Sequence, residues 1–258
     1  MIIRNEQQAP CHLPYFLSFP SPAIFASCMN LQTRYDAMRK AAFHKWTHGE
    51  AELDAFIDSA QDDRRGISLV ARPPAHIAAI IELILADFKS AEPTQYYYPA
   101  TDIHLTILSI ISCCSGFTLD MIAPADYQQA VGTILQSVRP FTISYSGLTA
   151  SPGGIMVQGI PHDNSLEELR DVTRKHFQQS GLRQSIDQRY RINTAHSTVI
   201  RFRNKLSNPG ILLEMVEKYQ HHFIGSFEVN ELDLMYNDWY QRANNAILLE
   251  RYSLGGNE

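Results

Sequence analysis

The chain has 258 residues, enough for one large domain or two lobes and too many to need disulfide staples. Lys and Arg number 22 against 27 Asp and Glu, a formal charge of −5, which argues against a non-specific nucleic-acid binder because such a protein needs a basic face to neutralise phosphates. Apolar residues make up 45% and charged ones 19%, an ordinary globular balance that excludes wholesale disorder.

Residues 1–30 are proline-rich and aperiodic, which predicts an extended arm lying on the body. Pro14, Pro20 and Pro22 interrupt the apolar run 13–25, so no signal peptide is expected, and no other stretch is long and apolar enough to cross a membrane. Over 31–45 the pattern is helical, with Leu31, Tyr35, Met38 and Ala42 on one stripe. After a break at Thr47-His48-Gly49, a second helical piece is expected over 50–59, with Leu53, Phe56 and Ile57 as its apolar side. Residues 1–65 thus form an arm and helical extension ahead of a body spanning 66–258.

The body opens with a strand over 66–72, stopped by Pro73-Pro74, and a strongly periodic helix over 75–89. Strand segments at 96–98 and 104–111 precede a helix over 125–138, with Pro140 just beyond it. Strands over 141–148 and 155–160 flank Ser151-Pro152-Gly153-Gly154, a hairpin signal. The order then begins again: a helix to about 179 with Glu167 and Glu168 in its first turn, a strand over 196–202, a helix over 209–221, and closing strands over 223–234 and 246–252. Short strands and helices alternate twice, which predicts a two-lobed α+β body with an internal pseudo-repeat. The cysteines Cys11, Cys28, Cys113 and Cys114 form no C-x-x-C and have no zinc spacing; they read as reduced thiols of a cytoplasmic protein.

One strand in each half opens with histidine. His104-Leu105-Thr106-Ile107-Leu108 and His196-Ser197-Thr198-Val199-Ile200 both read His-x-Thr-apolar-apolar, 92 residues apart, and no other histidine has Ser or Thr two positions on. Residues i and i+2 share a strand face about 6.6 Å apart, so each His lies beside its Thr. If the strands meet, two imidazoles and two hydroxyls surround a volume suited to a phosphate. One neutral imidazole then takes a proton from the attacking oxygen while the other, protonated, gives one to the leaving oxygen. The threonines donate to the non-bridging oxygens. Taken singly, each histidine is more simply a strand residue satisfied by backbone; the matched pair favours the functional reading.

These strands resemble those of the two-histidine (2H) phosphoesterase superfamily, which includes the 2′-5′ RNA ligase-like proteins and the cyclic nucleotide phosphodiesterases. The resemblance covers roughly 66–254, taking in the first strand ending in Arg-Pro, the hairpin 141–160 and the closing segment from Phe227 to Leu234. It implies a bilobal fold of two pseudo-symmetric α/β lobes, with mainly antiparallel sheets around a central groove. It also implies hydrolysis of a 2′,3′-cyclic phosphate or related ribose-linked phosphodiester, on a small nucleotide or RNA end, without metal or other cofactor. His104 and His196 match the catalytic positions, with His104 favoured as acid and His196 as base; Thr106 and Thr198 match the phosphate-contacting ones. In several members an arginine follows the second motif, and Arg201 stands there, although strict alternation aims it away from the histidine face.

Tyr96-Tyr97-Tyr98, Trp239-Tyr240 and Tyr145 offer aromatic faces that stack a base or simply pack, and Tyr240 is taken with Arg201 as a candidate substrate contact. The extension, outside the family core, is expected to cap one end of the groove and keep the substrate small. The rival reading is a non-catalytic protein holding a nucleotide or RNA end in the same groove; the presence of both histidines and both threonines favours the enzyme. The expected state is a monomer, with no membrane and no long non-specific nucleic acid as partners.

Overall fold

The computed structural model describes residues 22–255. Helix α1 (Pro22–Thr47) begins at a proline, whose fixed φ suits a first turn and whose missing N–H is no loss there. The extended arm expected through residue 30 is therefore helical from Pro22, and its remainder lies outside the described residues. Tyr35, Ala42 and Trp46 are buried where α1 packs on strands β4 (Phe141–Ser151) and β5 (Gly154–Pro161), each large side chain contributing about 1.5–3 kcal/mol. The expected helix over 50–59 does not form. Its backbone donors are taken by the body instead, Glu52 N–H by the Pro152 carbonyl (3.0 Å) and Asp54 N–H by that of Phe202 (2.8 Å), so the segment runs as turns. Ile57 is buried there while Leu53 and Phe56 stay half exposed.

The body is built from two sheets in which every pairing is antiparallel. One sheet, in the order β3-β1-β8-β9, contains β1 (Arg65–Ala71), β3 (Leu105–Cys114), β8 (Glu231–Asp238) and β9 (Ile247–Ser253). The other, in the order β2-β6-β5-β4-β7, adds β2 (Tyr96–Tyr97), β6 (Ser197–Arg201) and β7 (Phe223–Val229) to β4 and β5. The apolar run read as one strand over 223–234 is two strands broken at Asn230, one for each sheet.

The helices cross over. Helix α2 (Ala75–Ala91) leaves the first sheet and packs on β7 of the second, beside α5 (Pro209–Lys218). Helix α4 (Ser165–Gln179) leaves the second and packs on β3 of the first, beside α3 (Pro124–Leu135). The architecture is the expected α+β arrangement of two antiparallel sheets. This exchange places β3 and β6, the strands that follow the two histidines, next to each other at the junction. Among the described residues no helix is long and apolar enough to cross a membrane.

Candidate active site

The two histidine strands share a defect. On β3, Val70 of β1 faces Thr106 while Leu69 faces Leu108, so Ile107 is an extra residue; on β6, Met156 faces Thr198 while Ile155 faces Ile200, so Val199 is one too. A bulge of this kind resets the alternation. His104, Thr106 and Ser109 are half-buried with their flanking residues buried, and His196, Thr198 and Arg201 repeat the pattern at the same spacing. This corrects the expectation for Arg201: the bulge at Val199 turns it onto the histidine face. The carbonyls displaced from the ladder find other donors, Ile107's from Arg170 Nε (2.8 Å) and Val199's from Tyr98 N–H (3.0 Å).

His104, Thr106, His196, Thr198 and Arg201 line one cavity of about 120 Å³. Each histidine is anchored through Nδ1 by the residue two before it. His104 Nδ1–H donates to the Asp102 carbonyl at 2.7 Å, which leaves Nε2 for the cavity; His196 Nδ1 lies 2.7 Å from the Thr194 hydroxyl. Both imidazoles are pushed down to about 4, chiefly by burial. Their surroundings nonetheless differ. The Asp102 carbonyl and, more weakly, the Asp238 charge work to keep a proton on His104 against the charges of Arg72 and Arg201, whereas the charges acting on His196, those of Arg170, His104 and Arg201, all oppose one.

Two groups lock the motif strands together. Ser197, between His196 and Thr198, donates to the His104 carbonyl at 2.6 Å, and its oxygen lies 2.5 Å from the buried Tyr145 hydroxyl. Arg170 of α4, 1% exposed, reaches the carbonyls of Ile107 (2.8 Å), Thr106 (3.1 Å) and Thr194 (2.9 Å), so one guanidinium spans both motifs. Burial draws it down to about 10, and it stays charged at neutral pH.

Tyr240 does not line the cavity. It is fully buried behind it, its hydroxyl accepting from Arg64 Nη2 (2.9 Å) and its ring facing Arg242; Trp239 lines the cavity in its place. Of the other aromatic candidates, Tyr98 lines the cavity with its hydroxyl accepting from Arg201 Nε (2.9 Å), while Tyr145 serves Ser197. The long α4–β6 connection supplies a wall that sequence reasoning missed: Asp187, Arg189, Tyr190 and Ile192. Its signal was present in Arg189-Tyr190-Arg191, an aromatic residue between basic ones. Among the described residues the non-glycine positions with left-handed φ are Asp187 (58°) and Gln241 (57°), and both line this cavity. Strained backbone of this sort gathers at functional sites.

Among the described residues none of 31–65 lines the cavity, and the side chains of 1–30 lie outside the described ones; Tyr35 braces the cavity from behind. The Tyr35 hydroxyl accepts from Ala195 N–H (3.0 Å) and donates to the Gly159 carbonyl (3.0 Å), just ahead of His196. Gly159 permits this approach, since a Cβ there would lie 1.8 Å from the Ala195 carbonyl oxygen. Among the described residues no group of three or more His, Cys, Asp or Glu gathers as a metal ligand set.

The chain has the fold of several solved structures. TT0787 of Thermus thermophilus superposes with a TM-score of 0.54 at 13% identity, over 75% of this chain and 100% of that one. ATU0111 of Agrobacterium tumefaciens superposes at 0.52 and 12% identity, over 82% and 99%. LigT of E. coli, solved with 3′-AMP, overlaps less closely, at 0.48 and 19% identity over 74% and 99%. No family model matches the chain, and no curated protein matches it.

Proposed function

We propose that this chain, with the fold it shares with TT0787, is a two-histidine phosphodiesterase that opens a 2′,3′-cyclic phosphate or a related ribose-linked phosphodiester. The observation that carries the reading is the convergence of both His-x-Thr motifs, from strands of different sheets, on one cavity. His196, held neutral by burial and by the nearby charges of Arg170 and Arg201, is the base: it takes a proton from the attacking water as the oxygen–phosphorus bond forms. His104 is the acid. Its Nδ1–H rests on a carbonyl that also suits the imidazolium, and the bound phosphate anion supplies the charge that brings a proton to Nε2. That proton passes to the departing ribose oxygen as its bond to phosphorus breaks. Thr106 and Thr198 donate to the non-bridging oxygens, and Arg201 offsets the charge that builds on them. Exchange with solvent then restores the two protonation states.

The test is hydrolysis of 2′,3′-cyclic nucleotides across pH with a chelator present, wild type beside His104→Ala and His196→Ala. Turnover with a bell-shaped profile, reduced by about 10²–10⁴ in each variant, is expected. Turnover undiminished in either variant would sink the mechanism.

A further inference from the structure

Among the described residues three buried side-chain oxygens have no hydrogen-bond donor: Glu92 Oε2, Asn237 Oδ1 and Gln241 Oε1. Two of them belong to the wall of the catalytic cavity, which Asn237 and Gln241 both line although each is only 3% exposed. A buried oxygen left unpaired is costly, and native proteins seldom keep one without a reason.

One main-chain carbonyl places both side chains. That of Asp238 accepts from Asn237 Nδ2 (2.8 Å) and from the Gln241 N–H (3.3 Å). The first bond fixes the Asn237 amide, which cannot turn over to offer its nitrogen without giving that bond up, so Oδ1 stays an acceptor. The second closes the turn after β8 in which Gln241 holds its left-handed φ of 57°, strained backbone for a residue with a side chain. The surroundings do not favour a metal cation on these oxygens. Arg189 and Arg201 line the same cavity, and the nearby carboxylates are engaged: Asp187 by Arg174 at 2.9 Å, Asp238 by the Tyr240 and Arg242 N–H groups and by Asn245 Nδ2 at 3.0 Å each. Neutral N–H donors suit them better. Asn237 faces Gly66 of β1, four residues from Val70, which faces Thr106. That is roughly 13 Å along the strand, about the reach of one nucleoside from a phosphate held by the threonines.

We propose that Asn237 and Gln241 select the base of the reacting nucleotide, their oxygens accepting from an exocyclic amino group, so that cytosine and adenine are preferred to uracil and hypoxanthine. The inference rests on the phosphodiesterase reading and adds to it a choice of base. A ribose carrying a 2′,3′-cyclic phosphate has lost both ring hydroxyls, which leaves the base as the source of donors beside it. An amino group has two hydrogens, one for each oxygen. Among the described residues the Gln241 amide makes no hydrogen bond, so it swings to the base without breaking one. Uracil and hypoxanthine present a carbonyl at the same place, which sets oxygen against oxygen and leaves all of them unpaired.

Binding tests it without requiring turnover. The 3′-monophosphates of cytidine, uridine, adenosine and inosine are titrated calorimetrically at one pH and salt, the members of each pair differing in an amino group against a carbonyl. Cytidine is expected to bind about tenfold or more tighter than uridine, and adenosine than inosine. In Asn237→Leu and Gln241→Met both ratios should fall toward one, while uridine 3′-monophosphate binds about as it does to wild type, which reports an intact cavity. Each ratio is taken within one protein, so a variant's lower stability does not enter it; if Asn237→Leu does not fold, Gln241→Met and the wild-type ratios decide. Equal affinities within either pair in wild type, or ratios unchanged in the variants, would overturn the assignment and leave the two oxygens to water. Turnover of the four 2′,3′-cyclic nucleotides separates the two readings. Selective binding with none of them opened removes the hydrolysis alone; all four bound and opened alike removes the selection alone; none bound or opened removes both.

Discussion

The hydroxyl of Ser197 donates to the main-chain carbonyl of His104 at 2.6 Å, joining the second motif to the first across the junction of the sheets. The middle residue of one His-x-Thr therefore sets where the other begins. Tyr145 completes the link at 2.5 Å, and both side chains are fully buried. Ser197→Ala leaves the His104 carbonyl and the Tyr145 hydroxyl without partners, an expected loss of about 1–3 kcal/mol. Tyr145→Phe should lose less, since Ser197 still meets His104. The double variant should fall short of the sum, because Ser197→Ala has already orphaned the phenol. Urea unfolding of the four proteins measures the cycle; strict additivity would show that the three groups do not act together.

Arg170 holds the carbonyls of Thr106 and Ile107 on β3 and that of Thr194 two residues before His196, and its charge also opposes a proton on His196. Arg170→Lys keeps the charge and loses the fork; Arg170→Met loses both. If the arginine positions the site and tunes it, His196 in the Met variant titrates above its value of about 4, toward the ordinary 6.5, while in the Lys variant it moves less. Histidine proton shifts followed by NMR across pH report this directly. A purely structural arginine would leave His196 titrating alike in both.

Burial of two neutral imidazoles makes the ligand-free protein sensitive to acid. Each titrates near 6.5 when unfolded and at about 4 when folded, so the unfolded chain binds more protons between those values. Their contribution to stability is complete above about 6.5 and is lost as pH falls toward 4. The urea midpoint should drop between pH 7 and pH 5 more in wild type than in His104→Gln/His196→Gln. Inorganic phosphate, by favouring the imidazolium forms, should recover part of that drop in wild type only. Parallel midpoints across pH would show that other groups carry the acid sensitivity.

The sequence exposed what depends on period and punctuation. The histidine strands, the hairpin at Pro152-Gly153 and the strongly periodic α2 all lie within a few residues of where patterning put them. What it hid depends on pairing. Whether Arg201 faces the histidines turns on one extra residue at Val199, and nothing in His-Ser-Thr-Val-Ile-Arg marks a bulge; only the register against Met156 and Ile155 does. Residues 50–59 carry apolar spacing suited to a helix, but carbonyls from Pro152 and Phe202 outcompete the helical ones. Trp239 and Tyr240 offer the same aromatic signal in sequence, but consecutive residues at a strand end point in different directions, so Trp239 lines the cavity and Tyr240 is buried behind it.

The helical extension, expected at the mouth of the groove, supports the second motif from behind. Tyr35 is the contact that matters, because its hydroxyl bonds Ala195 N–H and the Gly159 carbonyl at 3.0 Å each, one residue before His196. Tyr35→Phe keeps the ring and its packing but leaves both main-chain groups unpaired in a site with no water access, an expected loss of about 1–3 kcal/mol. The loss should be local as well as global. Hydrogen exchange at the Ala195 amide is expected to rise beyond that of core amides on β4, and hydrolysis of a cyclic nucleotide to fall through kcat more than KM, since His196 would be less firmly held. If Ala195 exchanges no faster than β4 in the variant, Tyr35 contributes packing alone and the extension has no part in positioning the base.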